Sequence, residues 1–335
     1  MTVEPLHQTA LVWDQTFPAT PTCGAWSTHL RALERMHASG YDAVSITVAS
    51  DPNDTMEALR RIAQWRRFVA QNPNRYLLLT RAEHAEEARA SGRLALGFHF
   101  QGTTPFGRDL GLVEAFYALG VRHALMAYNQ KNHVGDGCHE RTDAGLSRFG
   151  QDLVAEMQRV GMLVDVTHTG RRTAMDVFEV ARAPVIFSHS NARALTDHER
   201  NIDDEMAQAC AATGGVVGLN GIGIFLGEMA ASTEALFTHL DYWVQLLGPR
   251  HVGIGLDSVS DIGALANSVE DQASKYPEGQ GYDRTDVMKV STPEQIPELS
   301  DRMLRAGYSE VDISLILGGN WLRLAREVWK DVPGC

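Results

Sequence analysis

Four residues frame the chemistry open to this chain: His168, His189, Asp14 and Asp257 each fall at or near the carboxyl end of a short apolar run. Gln101 and Tyr128 close two further runs. In a strand buried on both faces a histidine or carboxylate is costly without a partner, so these positions are informative. Neutral imidazole nitrogens and carboxylate oxygens converging on one point form a donor set for a divalent metal that keeps a position open for water. A lone histidine so placed is more often a hydrogen-bonded core residue. Two on consecutive runs, with Asp257 on a third, favour a site. His99, His123 and His251 lack that setting and read as structural.

Asn129, Asn191, Arg200 and Asn201 follow the fourth and sixth of the runs, where loops would bring them to the same mouth as candidate substrate contacts. An Arg200 guanidinium facing that mouth would hold a carboxylate through two parallel hydrogen bonds. The same arginine, in the run DHERNIDDE, would equally pair with acidic neighbours on a solvated face. Spacing leaves both open.

The elements that must position these residues alternate between apolar runs rich in Val, Ile and Leu and stretches with helical spacing, the pattern of parallel βα units. Eight runs recur: 10–16, 43–49, 94–101, 121–128, 162–168, 184–190, 215–221 and 251–258. Eight predicts a (β/α)8 TIM barrel, here a single domain over 1–335 with its chemistry at the carboxyl ends of the strands. Helices over 25–39, 112–119 and 147–160 each stop at a glycine, Gly40, Gly120 and Gly161, suited to a left-handed cap. Residues 261–291 show no clear periodicity and read as a long loop at the barrel mouth. Thr292, Pro293 and Gln295 then start the extra C-terminal helices, with threonine capping and glutamine reaching back. The last begins near Asn320 after a break at Gly318 and Gly319, and its stripe of Trp321, Leu324, Ala325 and Val328 reads as packing.

Composition narrows the partners. With 335 residues, 44% hydrophobic and 21% charged, the chain has the profile of a large globular core. A formal net charge of −12, from 30 Lys and Arg against 42 Asp and Glu, disfavours nucleic acid and favours a small-molecule substrate. No run approaches the length of a membrane span or a signal peptide, so a cytoplasmic protein is expected. Cys23, Cys138, Cys210 and Cys335 lie far apart and read as free thiols.

Several long stretches resemble one family: GVRHALMAYNQKN, DAGLSRFGQDLVAEMQRVGMLVDVTHTG, PVIFSHSNARALTDHERNIDDE, HVGIGLDS and ILGGNWLRL. In that order they resemble the renal dipeptidase (membrane dipeptidase) family, peptidase family M19 of the amidohydrolase superfamily. The resemblance implies a barrel holding two zinc ions, bridged by a glutamate and by a hydroxide that attacks the peptide carbonyl of a dipeptide. It places the family's histidine ligands on His168 and His189, its proton-handling aspartate on Asp257 and its substrate-carboxylate arginine on Arg200.

Three positions depart from the pattern. The first-strand His-x-Asp pair is Asp14-Gln15-Thr16, the bridging glutamate is Gln101, and the histidine that polarises the carbonyl is Tyr128. The family's ligand set carries three negative charges, whereas Asp14, Thr16, Gln101, His168, His189 and Asp257 carry two. A neutral amide bridges two cations poorly, since it does not offset their repulsion. The expectation is therefore one zinc per chain, held by His168 and His189 with help from Asp14, Asp257 or Gln101. Asp257 would handle the proton, Tyr128 would hydrogen-bond the oxyanion, and the substrate would be a dipeptide or related amide with a free carboxylate, bound by Arg200, Asn201 and Asn129. A metal-free binding barrel is the competing reading. A nucleotide-binding fold is disfavoured because no glycine-rich phosphate loop follows any run. A homodimer is compatible with the fold class.

Overall fold

The structure is a computed structural model that describes residues 9–271, 275–284 and 287–331. Cys335 and parts of the 261–291 segment lie outside the described residues. Nine strands form: β1 Trp13–Phe17, β2 Ala43–Ser50, β3 Tyr76–Leu78, β4 Leu94–Gln101, β5 Val121–Leu125, β6 Leu163–Asp165, β7 Val185–Ile186, β8 Val217–Leu219 and β9 Val252–Ile254. Their order is β7-β6-β5-β4-β2-β1-β9-β8, every pair parallel. A parallel bridge from Phe187 to Val217 joins the two ends, so the sheet is a nearly closed barrel of eight strands, with β3 outside it. Each of the eight runs matches one barrel strand, with β1 and β2 ending one residue past their runs.

Tyr76–Leu78 escapes the sequence reading because it is no part of the barrel wall. β2 holds one edge of β4 along its length, while β3 and β5 share the other, at residues 94–96 and 98–100. Helices lie between the strands, with ends as the sequence predicts to within a residue or two: Trp26–Ala38, Gly111–Ala118 and Arg148–Val160. Gly161 shows why glycine is required there. Its φ is 91°, and a Cβ would come within 2.8 Å of Val328 O and Lys330 N.

Three expectations need correction. Residues 262–271 form a helix, Ile262–Asp271, rather than loop; its amphipathic spacing is too short to stand out, and its apolar side packs on the mouth. Gln295 does reach back to the Thr292 N–H, at 2.8 Å, but the helix Gln295–Arg305 has no side-chain cap from Thr292. Gly318 and Gly319 do not break the chain. They belong to a π-helical turn, Leu315–Gly319, that runs on into the helix Asn320–Val328. Close approach explains the glycine: a Cβ on Gly318 would lie 2.5 Å from Leu11 O.

That last helix seals the amino-terminal end of the barrel. Trp321, Leu324 and Val328 pack with Trp13, Ala43, Ala95 and Leu163, which are first or second residues of β1, β2, β4 and β6. Trp321 also donates its indole N–H to Ile254 O at 3.0 Å. With one end closed by apolar packing, the opposite end is left for polar groups.

Candidate active site

Beyond the last paired residues, three site residues take left-handed backbone: Asn129 after β5 (φ 60°), His168 after β6 (φ 62°) and Asp257 after β9 (φ 55°). That conformation costs a residue with a Cβ on the order of 1 kcal/mol or more. Three of the five described non-glycine residues with positive φ are these. Such strain persists where the aim of a side chain is fixed by its surroundings.

His168 and His189 meet edge to face, with their Nε2 atoms 3.1 Å apart. Asn129 sets the state of the first ring: its Oδ1 lies 2.6 Å from His168 Nδ1, while its Nδ2 donates to Lys275 O at 3.1 Å. An amide oxygen only accepts, so His168 carries its proton on Nδ1 and presents a lone pair from Nε2. His189 Nδ1 is held by the hydroxyls of Ser188, at 2.7 Å, and Thr16, at 3.0 Å. Burial, followed by the charge of Arg200, holds both imidazoles well below the usual histidine pKa, so both are neutral at pH 7. Metal-ligating histidines are oriented in this way, through the nitrogen that does not bind.

Two nitrogens in one tetrahedral zinc shell, each bound at about 2.0–2.1 Å, lie roughly 3.3 Å apart. The imidazole pair thus fits one cation. The two aspartates sit differently. Asp14 Oδ1 accepts from the Thr16 and Leu256 N–H groups, at 2.9 and 3.2 Å, while its buried Oδ2 has no partner among the described residues. Burial pushes its pKa up to about 7. Asp257 accepts from Asn220 Nδ2 at 3.4 Å, and burial raises its pKa to about 6 against the opposing charge of Arg200. Among the described residues, neither joins the imidazoles in a group of three or more His, Cys, Asp or Glu. Gln101 ends β4 with its buried Nε2 unpartnered.

Tyr128 stacks on His168, ring centroids 4.1 Å apart, and its hydroxyl lies 3.0 Å from that of Tyr276. Burial raises its pKa well above that of a free phenol, so the hydroxyl keeps its proton. Arg200 is not on a solvated face, and among the described residues it pairs with none of the acids of its own run. It is 2% exposed, with Nη2 donating to His189 O at 2.7 Å and Nη1 to Ser190 Oγ at 3.3 Å. Its Nε has no partner. The reason is the loop after β7, which folds back on itself through a bridge between Ala192 and Ile202 and carries Arg200 beneath His189. Asn201 spends both amide hydrogens on Thr196 O and Phe225 O, and Asn191 exchanges two bonds with the Asn220 backbone. Both act here as loop pins.

Sequence reading passed over Ser188, Asn220 and Asp51. Asp51 gathers the Tyr128 N–H (2.8 Å), Asn132 Nδ2 (3.0 Å) and the Thr104 hydroxyl (2.8 Å). Its signal was available: it lies two residues past the second run, as Asn220 falls within the seventh. His99 and His123 lie inside the barrel, stacked 4.4 Å apart, against Thr47 and Asp165 respectively.

Two clefts meet at His168, the one residue common to their walls. One, of about 990 Å³, carries Gln101, Tyr128 and Asp257 together with apolar side chains. The other, of about 850 Å³, carries Arg200 among polar and charged groups.

A nearly closed parallel barrel with an oriented imidazole pair at the carboxyl ends of its strands is the architecture of amidohydrolases. A solved amidohydrolase from Pseudomonas aeruginosa superposes with a TM-score of 0.89 at 27% identity, covering 99% of this chain and 100% of that one. Residues 14–279 match the family model for membrane dipeptidase, peptidase family M19, and the chain belongs to that family. An uncharacterized dipeptidase, C965.12, of Schizosaccharomyces pombe is 34% identical over 230 residues, 66% of this chain and 55% of its own length. The chain thus spans about half of that relative. A metallo peptidase from Rhodobacter sphaeroides, solved with a phosphinate mimic of the dipeptide L-Ala-D-Ala, has the same fold, with a TM-score of 0.78 at 21% identity over 96% of this chain and 100% of its own.

Proposed function

We propose that this protein is a dipeptidase-like metallohydrolase that cleaves the amide bond of a small molecule bearing a free carboxylate, with one zinc ion held by His168 and His189. The observation that carries the reading is the 3.1 Å approach of two neutral, oriented Nε2 atoms. A zinc ion held there would supply a Lewis acid and would lower the pKa of a bound water to about 7. One cation rather than two follows from Gln101, whose neutral amide stands where a bridging carboxylate would be needed. Asp14, with its bare Oδ2, is the carboxylate available to assist.

The remaining work belongs to this chain's own side chains. Asp257, with a pKa near 6, is poised to accept a proton from water and pass it to the departing amine, a role that needs a pKa close to the working pH. Tyr128, protonated and stacked on His168, donates to the oxyanion of the tetrahedral centre, while Tyr276 holds the phenol in line. Arg200 lines the polar cleft and supplies the positive charge that draws the substrate carboxylate there. Asn129 acts through His168, and Asn201 through the loop that carries Arg200.

Elemental analysis of protein purified without chelator, alongside a dipeptide panel, tests the reading. About one zinc per chain and release of free amino acids is the expected result. Two zinc ions would overturn the single-metal assignment, and inactivity on every dipeptide and N-acyl amino acid with zinc bound would overturn the hydrolase itself.

A further inference from the structure

The apolar cleft carries a feature that the hydrolase reading leaves unused. One wall is a hydrophobic cluster separate from the main core: Ile222, Ile224 and Phe225 from the turn after β8, with Tyr282 and Met288 from the segment that follows the helix Ile262–Asp271. Leu265 of that helix lines the same space. Aromatic rings connect this wall to the reaction centre, since Tyr128 stacks on His168, its hydroxyl meets Tyr276, and Tyr276 lies 4.9 Å from Tyr282. Val259 and Val269 line the cleft as well, more apolar surface than the side chain of one small amino acid covers. Apolar side chains gathered around a concave site next to polar groups are a mark of ligand binding.

Among the described residues, two charged ones line this cleft, Asp257 and Arg61. Asp257 belongs to the reaction centre. Arg61 stands on the helix Thr55–Gln71 and is half-buried. Its Nη1 donates to Asn53 Oδ1 at 3.0 Å, and among the described residues it makes no ion pair. A half-buried guanidinium with donors to spare, whose charge neighbour Glu57 stays outside ion-pair distance, is suited to an anionic group brought by the ligand.

The two clefts divide the substrate at His168. If the polar cleft with Arg200 takes the carboxylate of the leaving amino acid, the apolar cleft takes the acyl side. We infer that the acyl half of the substrate is a long apolar chain bearing its own carboxylate, which Arg61 binds: an N-acyl amino acid whose acyl group is a dicarboxylic acid, rather than a dipeptide of two small residues. This assignment rests on the hydrolase reading only for which half lies in which cleft.

Three probes separate the elements: N-acetylglycine, N-octanoylglycine and N-octanedioylglycine with its second carboxyl free. Calorimetry gives affinity for any compound that is not cleaved, and kcat/KM for any that is. From acetyl to octanoyl, the expected gain is roughly fourfold for each methylene that is buried. The free second carboxyl should add about tenfold or more, and Arg61→Gln should remove that increment while leaving the octanoyl compound unchanged. Leu265→Trp, which fills the cleft, should flatten the dependence on chain length. Equal affinity for acetyl and octanoyl compounds, or an unchanged preference for the second carboxyl in Arg61→Gln, would overturn the inference. Turnover without any dependence on chain length would sink this substrate class and leave the hydrolase standing. Binding that follows the expected series with no turnover would uphold the class and sink the hydrolase.

Discussion

The two ends of the barrel solve opposite problems with the same strands. At the amino-terminal end, Trp13, Ala43, Ala95 and Leu163 meet the helix Asn320–Val328, and the contact is apolar, with the Trp321 indole N–H satisfied by a backbone carbonyl. At the carboxyl end, buried Asp14 Oδ2 and Gln101 Nε2 have no partner, and His168, Asn129 and Asp257 hold left-handed backbone. The first arrangement maximises packing; the second gives up stability in return for a fixed, desolvated set of polar groups. Substitutions at the two ends should therefore fail in different ways.

The largest effect expected is on activity. Replacing both His168 and His189 by alanine should abolish bound zinc and reduce hydrolysis by at least about a thousandfold. The melting temperature of the zinc-free protein should fall far less than the activity, because the two Nε2 atoms face each other rather than a packing partner; the left-handed strain at His168 stays, since alanine also carries a Cβ. A large loss of zinc-free stability would mean that this end, too, is a packing device.

Trp321→Ala probes the opposite end. It removes one of the largest fully buried side chains and should cost about 3–5 kcal/mol in denaturant unfolding. Zinc content per folded chain should stay unchanged. Loss of metal without loss of stability would break the division of labour between the ends.

Acid should attack the mouth before the plug. His239 accepts from the Ala192 N–H at 3.1 Å and His198 from the Arg200 N–H at 3.0 Å, both in the loop after β7. Burial lowers each pKa from 6.5 to about 4. His198 also faces His139, Glu199 and Arg200, whereas burial is the main influence on His239. A folded-state pKa below the unfolded value means that the unfolded chain binds the proton first. Stability from these groups is thus complete above about pH 6.5 and falls as the pH drops towards 4, by up to about 3 kcal/mol each. His239→Asn, which keeps an acceptor for Ala192, should flatten the pH dependence of unfolding measured between pH 7 and 4.5. An unchanged slope would remove His239 from this account.

The smallest effect belongs to the residue that only aims a ligand. Asn129→Ala leaves His168 Nδ1 without its acceptor and should weaken zinc affinity about 10- to 100-fold in a chelator competition. Overall stability should change little. An unaltered affinity would show that the Tyr128 stack alone orients the ring.

Much of this molecule can be read from its one-dimensional text, because the signals involved are local. Alternation of apolar runs with helical spacing is a property of short windows, and it yields eight strands and the barrel they close. Glycine after Val160 is demanded by a dihedral angle of one residue. The pairing of His168 with His189 was also legible, since in a parallel barrel consecutive strand ends must meet at one face.

What only the tertiary structure decided depends on contacts between distant segments. Arg200 could not be placed, because its position follows from the fold-back of the loop after β7 beneath His189. Thr16 was read as a lost ligand, yet across the barrel its hydroxyl meets the Nδ1 of His189. β3 and the helix Ile262–Asp271 were missed for a shared reason: both are short, and each is stabilised by a surface supplied from elsewhere, β4 in one case and the hydrophobic wall of the mouth in the other. Residue type and period determine which elements form and which way they run; the assignment of each polar atom to its partner is a property of the closed barrel, where desolvation decides which groups must meet.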